Sequence, residues 1–231
     1  MKSLDELLSS TQTSNPPMGT QPATLPSRVT LAGAYAKLVP IYPKRHAKDL
    51  YEPTHGPGHE DLWRYLFDGP FASEEDFRAS LERKAASDDP LFFAITDPDS
   101  ERALGYASYL RIEPGHRSIE VGSILYSPEL QRTRAATEAM YLMARHAFED
   151  LGYRRYEWKC DSFNRPSIRA ALRLGFNYEG VFHQHMIVKG RSRDTAWFAM
   201  LDNEWPERKA AFERWLAPQN FDAEGRQKSR L

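Results

Sequence analysis

Apolar residues recur every three or four positions from Thr133 onward, at Ala136, Met140, Met143, Ala144, Ala147, Phe148 and Leu151. That spacing predicts a long helix buried along one face, and Gly152 stands where a left-handed C-terminal cap is expected. The period then changes. Arg155, Glu157 and Lys159 alternate with Tyr156, Trp158 and Cys160, which predicts a strand with one polar and one apolar face. Upstream, the apolar runs Leu91 to Thr96 and Ala103 to Ile112 flank the turn-forming Asp97-Pro98-Asp99-Ser100 and read as a hairpin. Ser118 to Tyr126 gives a further strand, stopped by Pro128.

Before the hairpin, the sequence predicts a first strand at Tyr35 to Ile41 and two helical stretches interrupted by the loop Thr54-His55-Gly56-Pro57-Gly58. Ser73 with Asp76 caps a third helix running through Lys84. After Cys160, a helix with Pro166 in its first turn ends at Gly175. Two strands, about Val181 to Lys189 and Asp194 to Leu201, are joined by Gly190-Arg191-Ser192-Arg193. A last helix begins near Pro206 and packs through Phe212, Trp215 and Leu216.

This order of elements predicts an α+β fold of three α/β/α layers, with helices on both faces of a mixed, mostly antiparallel sheet of about six or seven strands. Residues 1–27 are rich in Ser, Thr, Pro and Gln and predict a flexible arm, with a short helix possible at Leu4 to Leu8. The folded domain is expected at 28–216, and the charged segment 217–231 is expected to fray.

Composition narrows the function classes. Apolar content of 41% and charged content of 27% are ordinary globular values, and a formal net charge of -1 gives no basic surplus for nucleic acid or an anionic membrane. The single cysteine, Cys160, cannot form an internal disulfide, and no apolar run reaches the ~20 residues of a membrane span. A reducing compartment, most simply the cytoplasm, is expected. The partner is then a small molecule or a peptide, with the chain a monomer or homodimer.

The candidate chemistry sits where the strand ending in Leu125-Tyr126 runs into Gln131-Arg132-Thr133-Arg134-Ala135-Ala136 and the long helix. A turn feeding a helix N-terminus aims unpaired N–H groups and the positive end of the helix dipole at one spot, which suits a pyrophosphate without metal. Small residues at 135 and 136 permit close approach. The stretch resembles the acetyl-CoA-binding signature of the GNAT superfamily of N-acetyltransferases, Gln or Arg followed by Gly three places on and Gly or Ala two further. Gln131 and Ala136 match and Arg134 does not. Asn164-Arg165-Pro166-Ser167 with Leu174-Gly175-Phe176 is similar to the superfamily's second coenzyme-bordering helix. Glu120-Val121-Gly122, Asn164 to Phe176 and Asp194-Thr195 resemble the ribosomal-protein N-acetyltransferase branch.

The resemblance implies a GNAT-like fold over about residues 35 to 201, acetyl-CoA as cosubstrate, and acetyl transfer to a primary amine. It places the coenzyme against Leu125, Tyr126, the six residues 131 to 136, Asn164 and Ser167. A Gly at 134 would accept a left-handed backbone at no cost, so Arg134 predicts strain of about 1 kcal/mol, offset by a guanidinium beside the phosphate. Arg132 is a second candidate for that role. Glu120 is the candidate base. Its simpler reading is an interstrand pair with Arg or Lys. Backbone N–H groups near Ile124 to Tyr126 would meet the oxyanion if the strand bulges there. The Tyr that many members carry seven places after the Asn is Ala171 here, leaving Tyr156, Cys160 and Ser167 as substitutes.

Trp63, Tyr65 and Phe71, with His185, are the candidate substrate-binding residues. The aromatics lie among Gly and Pro in a loop that would fold over the acyl group, although they also suit a core. His183 and His185 alternate on one strand face with no third ligand at recognisable spacing, so no metal is predicted. Three functions stand open at this point: acetyl transfer to a small-molecule or peptide amine, ribosomal-type protein N-terminal acetylation, and a non-catalytic acyl-CoA sensor.

Overall fold

The computed structural model describes residues 19–231, so the possible helix at Leu4 to Leu8 lies outside it. Eight strands make one sheet in the order β1-β2-β3-β4-β5-β6-β8-β7. They are β1 (Leu31–Ala32), β2 (Lys37–Pro40), β3 (Leu91–Thr96), β4 (Ala103–Glu113), β5 (Ser118–Tyr126), β6 (Arg155–Asp161), β7 (Asn177–Val188) and β8 (Arg191–Leu201). Only the β5–β6 pair is parallel among them. The sheet is thus mixed and mostly antiparallel, as expected, with one strand more than anticipated. The addition, β1, is two residues long and carries no period to read.

Helices cover both faces. Against one lie α1 (Pro43–Thr54), α2 (Glu60–Trp63) and α3 (Glu74–Ala86), burying Leu50, Trp63, Phe77 and Leu81 on Phe92, Ala94, Tyr106 and Leu125. Against the other lie α4 (Arg134–Arg145), α5 (Arg165–Arg173) and α6 (Trp205–Leu216), packed on Phe93, Ile95, Val121, Tyr156 and Phe198. All six residues of β3 are buried, because successive side chains enter opposite cores.

Local signals explain the boundaries. Ser73 accepts the Asp76 N–H at 3.1 Å and returns a bond to its carboxylate, starting α3 as read from the sequence. The predicted long helix is regular only to Arg145. A wider turn, His146–Asp150, follows before Gly152 at φ 75°. The β7–β8 turn is tighter than predicted: β8 begins at Arg191, so Arg193 belongs to the strand.

Both predicted ends are partly held. Arg117 donates to the Gly19 and Gln21 carbonyls, and Ala23 N–H to the Pro114 carbonyl, so residues 19–23 lie along the β4–β5 turn. The tail expected to fray is anchored at a few points, with most of its residues exposed. After a 3-10 turn at Pro218–Asn220, Phe221 bridges Gln227, and Trp215 Nε1 donates to Gln227 at 3.1 Å. Aromatic contacts hold it where composition alone suggested none. No helix among the described residues is long and apolar enough to cross a membrane.

Candidate active site

The parallel pairing of β5 with β6 covers Ser118–Val121 against Arg155–Trp158 and then stops. Beyond it, β5 stays paired only with β4, so the edge of Gly122 to Tyr126 that faces β6 has no strand beside it. The two strands part there, opening a cleft through the sheet. At the same place β5 bulges. Tyr106 opposes Leu125 and Ser108 opposes Gly122, which leaves Ser123 and Ile124 facing Ala107 alone, with Ser123 at φ 49°. The anticipated bulge is present, slightly earlier than Ile124 to Tyr126. Leu125 and Tyr126 keep partners on β4, with the Leu125 side chain buried and the Tyr126 ring partly buried against the core.

The cleft leads to the start of α4. Thr133 is the N-cap, accepting the Ala136 N–H at 3.1 Å, while the N–H groups of Gln131 and Thr133 bond to Ser127 and Leu130. The N–H groups of Arg132, Arg134 and Ala135 have no partner among the described residues. Three free donors at the positive end of a three-turn helix form an anion cradle. Ala136 is buried beneath it and Ala135 half-buried, so no side chain obstructs the approach. Gln131 is exposed and donates to the Tyr126 carbonyl at 3.4 Å, fixing the turn.

Two expectations for this loop are corrected. The left-handed residue is Arg132 at φ 61°, whereas Arg134 is the first helical residue and carries no left-handed strain. The Arg134 guanidinium does not face the cradle. It stacks 3.5 Å from the Phe221 ring centre and 4.2 Å from that of Tyr35, with Nε and Nη2 shut away. Arg132 is exposed and remains the arginine beside the cradle. A further cation escaped the sequence reading: Arg173, from α5, donates to Thr137 Oγ1 at 2.8 Å in the first turn of α4. Its place one helix away, in an otherwise ordinary amphipathic pattern, gave no signal.

Asn164 and Ser167 stand at the other lip. Asn164 caps α5 by accepting the Ser167 N–H at 3.2 Å, and Ser167 Oγ accepts Trp158 Nε1 at 2.9 Å. These bonds use Asn164 Oδ1 and one lone pair of Ser167 Oγ, and the Asn164 amide nitrogen and the Ser167 O–H remain as donors. Ala171 is fully buried. Among the substitute acids, burial pushes the Tyr156 hydroxyl and the Cys160 thiol up, so neither ionises readily.

Glu120 lies on the face of β5 toward α1–α3, 3% exposed. The interstrand pair is present. Arg111 Nη1 and Lys159 Nζ approach at 2.8 and 2.9 Å, and Lys159 also bonds Glu157 at 2.5 Å. Both cations contact Oε2. Oε1 turns toward Gly122, where an added methyl carbon would lie 3.4 Å from it, at the point where β5 and β6 part. Burial raises the Glu120 pKa above its ordinary value against the pull of Lys159 and Arg111. One oxygen is therefore anchored by both cations, and the other turns toward the cleft.

The acceptor-side expectations divide. Trp63 is fully buried and donates Nε1 to the Thr54 carbonyl at 2.7 Å, so it is core. Phe71 packs on Trp63, His55 and Phe77 in the same cluster. The core alternative weighed for these aromatics thus describes Trp63, while Phe71 is only partly buried at the edge of that cluster. Tyr65 is placed differently: its hydroxyl donates to the Phe163 carbonyl at 3.1 Å, bridging the α2 loop to the turn before α5. His185 is exposed, pairs Nδ1 with Thr195 Oγ1 at 3.0 Å, and lies 5.9 Å from the Trp197 ring, which in turn sits 4.0 Å from Lys159 Nζ. Trp197 thus stands between His185 and Lys159. No group of three or more His, Cys, Asp or Glu among the described residues could hold a metal ion.

Comparison with known proteins gives the frame. The family described as acetyltransferase (GNAT) domain matches residues 37–177. A crystal structure of a GCN5-related N-acetyltransferase from Brucella melitensis is 45% identical, covers 91% of this chain and 95% of its own, and superposes with a TM-score of 0.88. The uncharacterized N-acetyltransferase YnaD of Bacillus subtilis is 27% identical over 157 residues, 68% of this chain and 88% of YnaD. A Vibrio cholerae structure whose title names a ribosomal-protein-serine acetyltransferase is 18% identical, covers 75% and 97% of the two chains, and has a TM-score of 0.65. That last likeness is one of fold.

Proposed function

Because the chain belongs to the GNAT family of acetyltransferases and is an acetyl-CoA-dependent acetyltransferase, we propose that its acceptor is the primary amine of a small molecule or a short peptide. The observation that carries this reading is the position of Glu120 Oε1, unpaired, beside Gly122 where the sheet opens. Bound acetyl-CoA would supply the thioester, its pyrophosphate at the free N–H groups of Arg132, Arg134 and Ala135 with Arg132 alongside. Glu120 takes the proton from the acceptor ammonium, since a nucleophilic nitrogen must be neutral. The bulge at Ser123–Ile124 offers backbone N–H groups to an oxyanion. A thiol leaves as a fairly stable anion, so the core Ala171 in place of a tyrosine is tolerated.

The acceptor groove is bordered by Tyr65, His185 and Trp197, with Tyr65 tying the α2 loop to Phe163. A bridged groove favours a small acceptor over the terminus of a folded protein, which is the ribosomal-type alternative. A panel of amines and short peptides offered with acetyl-CoA, read by release of free thiol, tests the reading. Turnover of small amines is expected. Turnover confined to intact protein N-termini would replace it with the ribosomal-type reading, and coenzyme binding without turnover of anything would replace it with a sensor.

A further inference from the structure

The Arg193 side chain is 8% exposed, yet its Nε has no hydrogen-bond partner, and no carboxylate lies within ion-pair distance of it among the described residues. Its guanidinium lies 5.4 Å from the Phe67 ring centre, at the end of the α2 loop. Four charged or titratable groups face it, and none pairs with it. Glu120 is taken by Arg111 and Lys159, Asp161 accepts the Phe163 N–H at 2.8 Å, Cys160 is a buried thiol, and Arg111 is a like charge. Four positions along the same face of β8, Trp197 Nε1 is also buried without a partner. Both orphans are donors. Buried polar groups in folded proteins are normally satisfied, and donors can be satisfied only by an acceptor.

We propose that Arg193 binds the carboxylate of the acceptor, so that the substrate is an amino acid or another amine bearing an acid group. The proposal rests on the acetyl-transfer reading above. A guanidinium fork matches the two oxygens of a carboxylate. A singly charged carboxylate balances one free guanidinium, whereas a doubly charged phosphate would leave excess negative charge beside Glu120 and Asp161. The acceptor's acid group would lie near Arg193, and its amine would then be directed toward Glu120, two strands over across β6.

Two measurements test this. The first compares kcat/KM for phenylalanine and phenylalaninamide, which differ in the acid group, in wild type, Arg193→Lys and Arg193→Met. The ratio of acid to amide is expected to fall at least tenfold in Arg193→Met and by less in Arg193→Lys, with the change in KM rather than kcat. The second is calorimetric titration of wild type and Arg193→Met with benzoate and with benzamide, which needs no turnover. Benzoate binding that Arg193→Met abolishes supports the anion site even if no amine is acetylated, in which case the transfer reading fails alone. Turnover with a ratio unchanged in Arg193→Met, or benzoate and benzamide binding alike, overturns the carboxylate site while leaving amine acetylation standing.

Discussion

Glu120→Gln removes one negative charge while keeping the outline of a side chain that is 3% exposed. Arg111 is part-exposed and falls back on solvent, and Lys159 keeps its 2.5 Å bond to Glu157, so no cation is stranded. The carboxyl pKa is raised in the folded chain by burial, so between the unfolded and folded values the folded state binds more protons. Its contribution to stability is therefore full below the unfolded value and is lost as pH rises through the folded one. A neutral amide should cost little at neutral pH, and the melting temperature should fall by no more than about 4 °C. Activity should respond far more. A positioned base is worth about 10²- to 10⁴-fold, or ~3–5 kcal/mol of barrier, and kcat/KM should drop accordingly. The assay is thiol release across pH. Wild type should lose activity as acid protonates Glu120, with the midpoint above the ordinary carboxylate value of 4.5, and the variant should lack that limb. Turnover within twofold of wild type, or an acidic limb that persists in Glu120→Gln, would refute the role of Oε1.

Thr133→Ala removes the bond to the Ala136 N–H and should cost about 1 kcal/mol of stability by thermal melting, with weaker acetyl-CoA binding by calorimetry. Gly122→Ala places a methyl 3.0 Å from Leu110 Cδ2 and 3.4 Å from Glu120 Oε1, so overpacking of about 1 kcal/mol should accompany a loss of kcat larger than the loss of stability. His46 is buried, and Nδ1 accepts the Tyr42 N–H at 3.1 Å, so burial lowers its pKa from 6.5 to about 4. The unfolded state then binds more protons, and stability should be full above pH 6.5 and decline as pH falls toward 4, by up to ~3 kcal/mol. Urea melts of His46→Gln should show a shallower slope in that window.

The long helix, the hairpin and β6 were legible because each carries a clean period, and the unpaired N–H groups before Ala136 were legible because every helix start has a fixed set of them. What escaped reading depended on partners far along the chain. The left-handed turn falls at Arg132, two residues before the position the motif suggested, since Thr133 starts the helix. The sequence left Trp63 open between substrate loop and core, and the packing of α1 and α3 around it puts it in the core. Arg193 was taken for a turn residue when Gly190 to Arg193 read as one loop. The alternation of Arg193, Thr195 and Trp197 with Asp194, Ala196 and Phe198 was the available signal that β8 begins earlier.

The Arg134 guanidinium lies between Tyr35 and Phe221, so the first residue of α4 is clasped by a ring from before β2 and one from beyond α6. The last segment of the chain thereby acts as a strap over the N-terminus of α4. Replacing Phe221 by Ala would open that strap, leaving the Arg134 guanidinium against Tyr35 alone and loosening the first turn of α4.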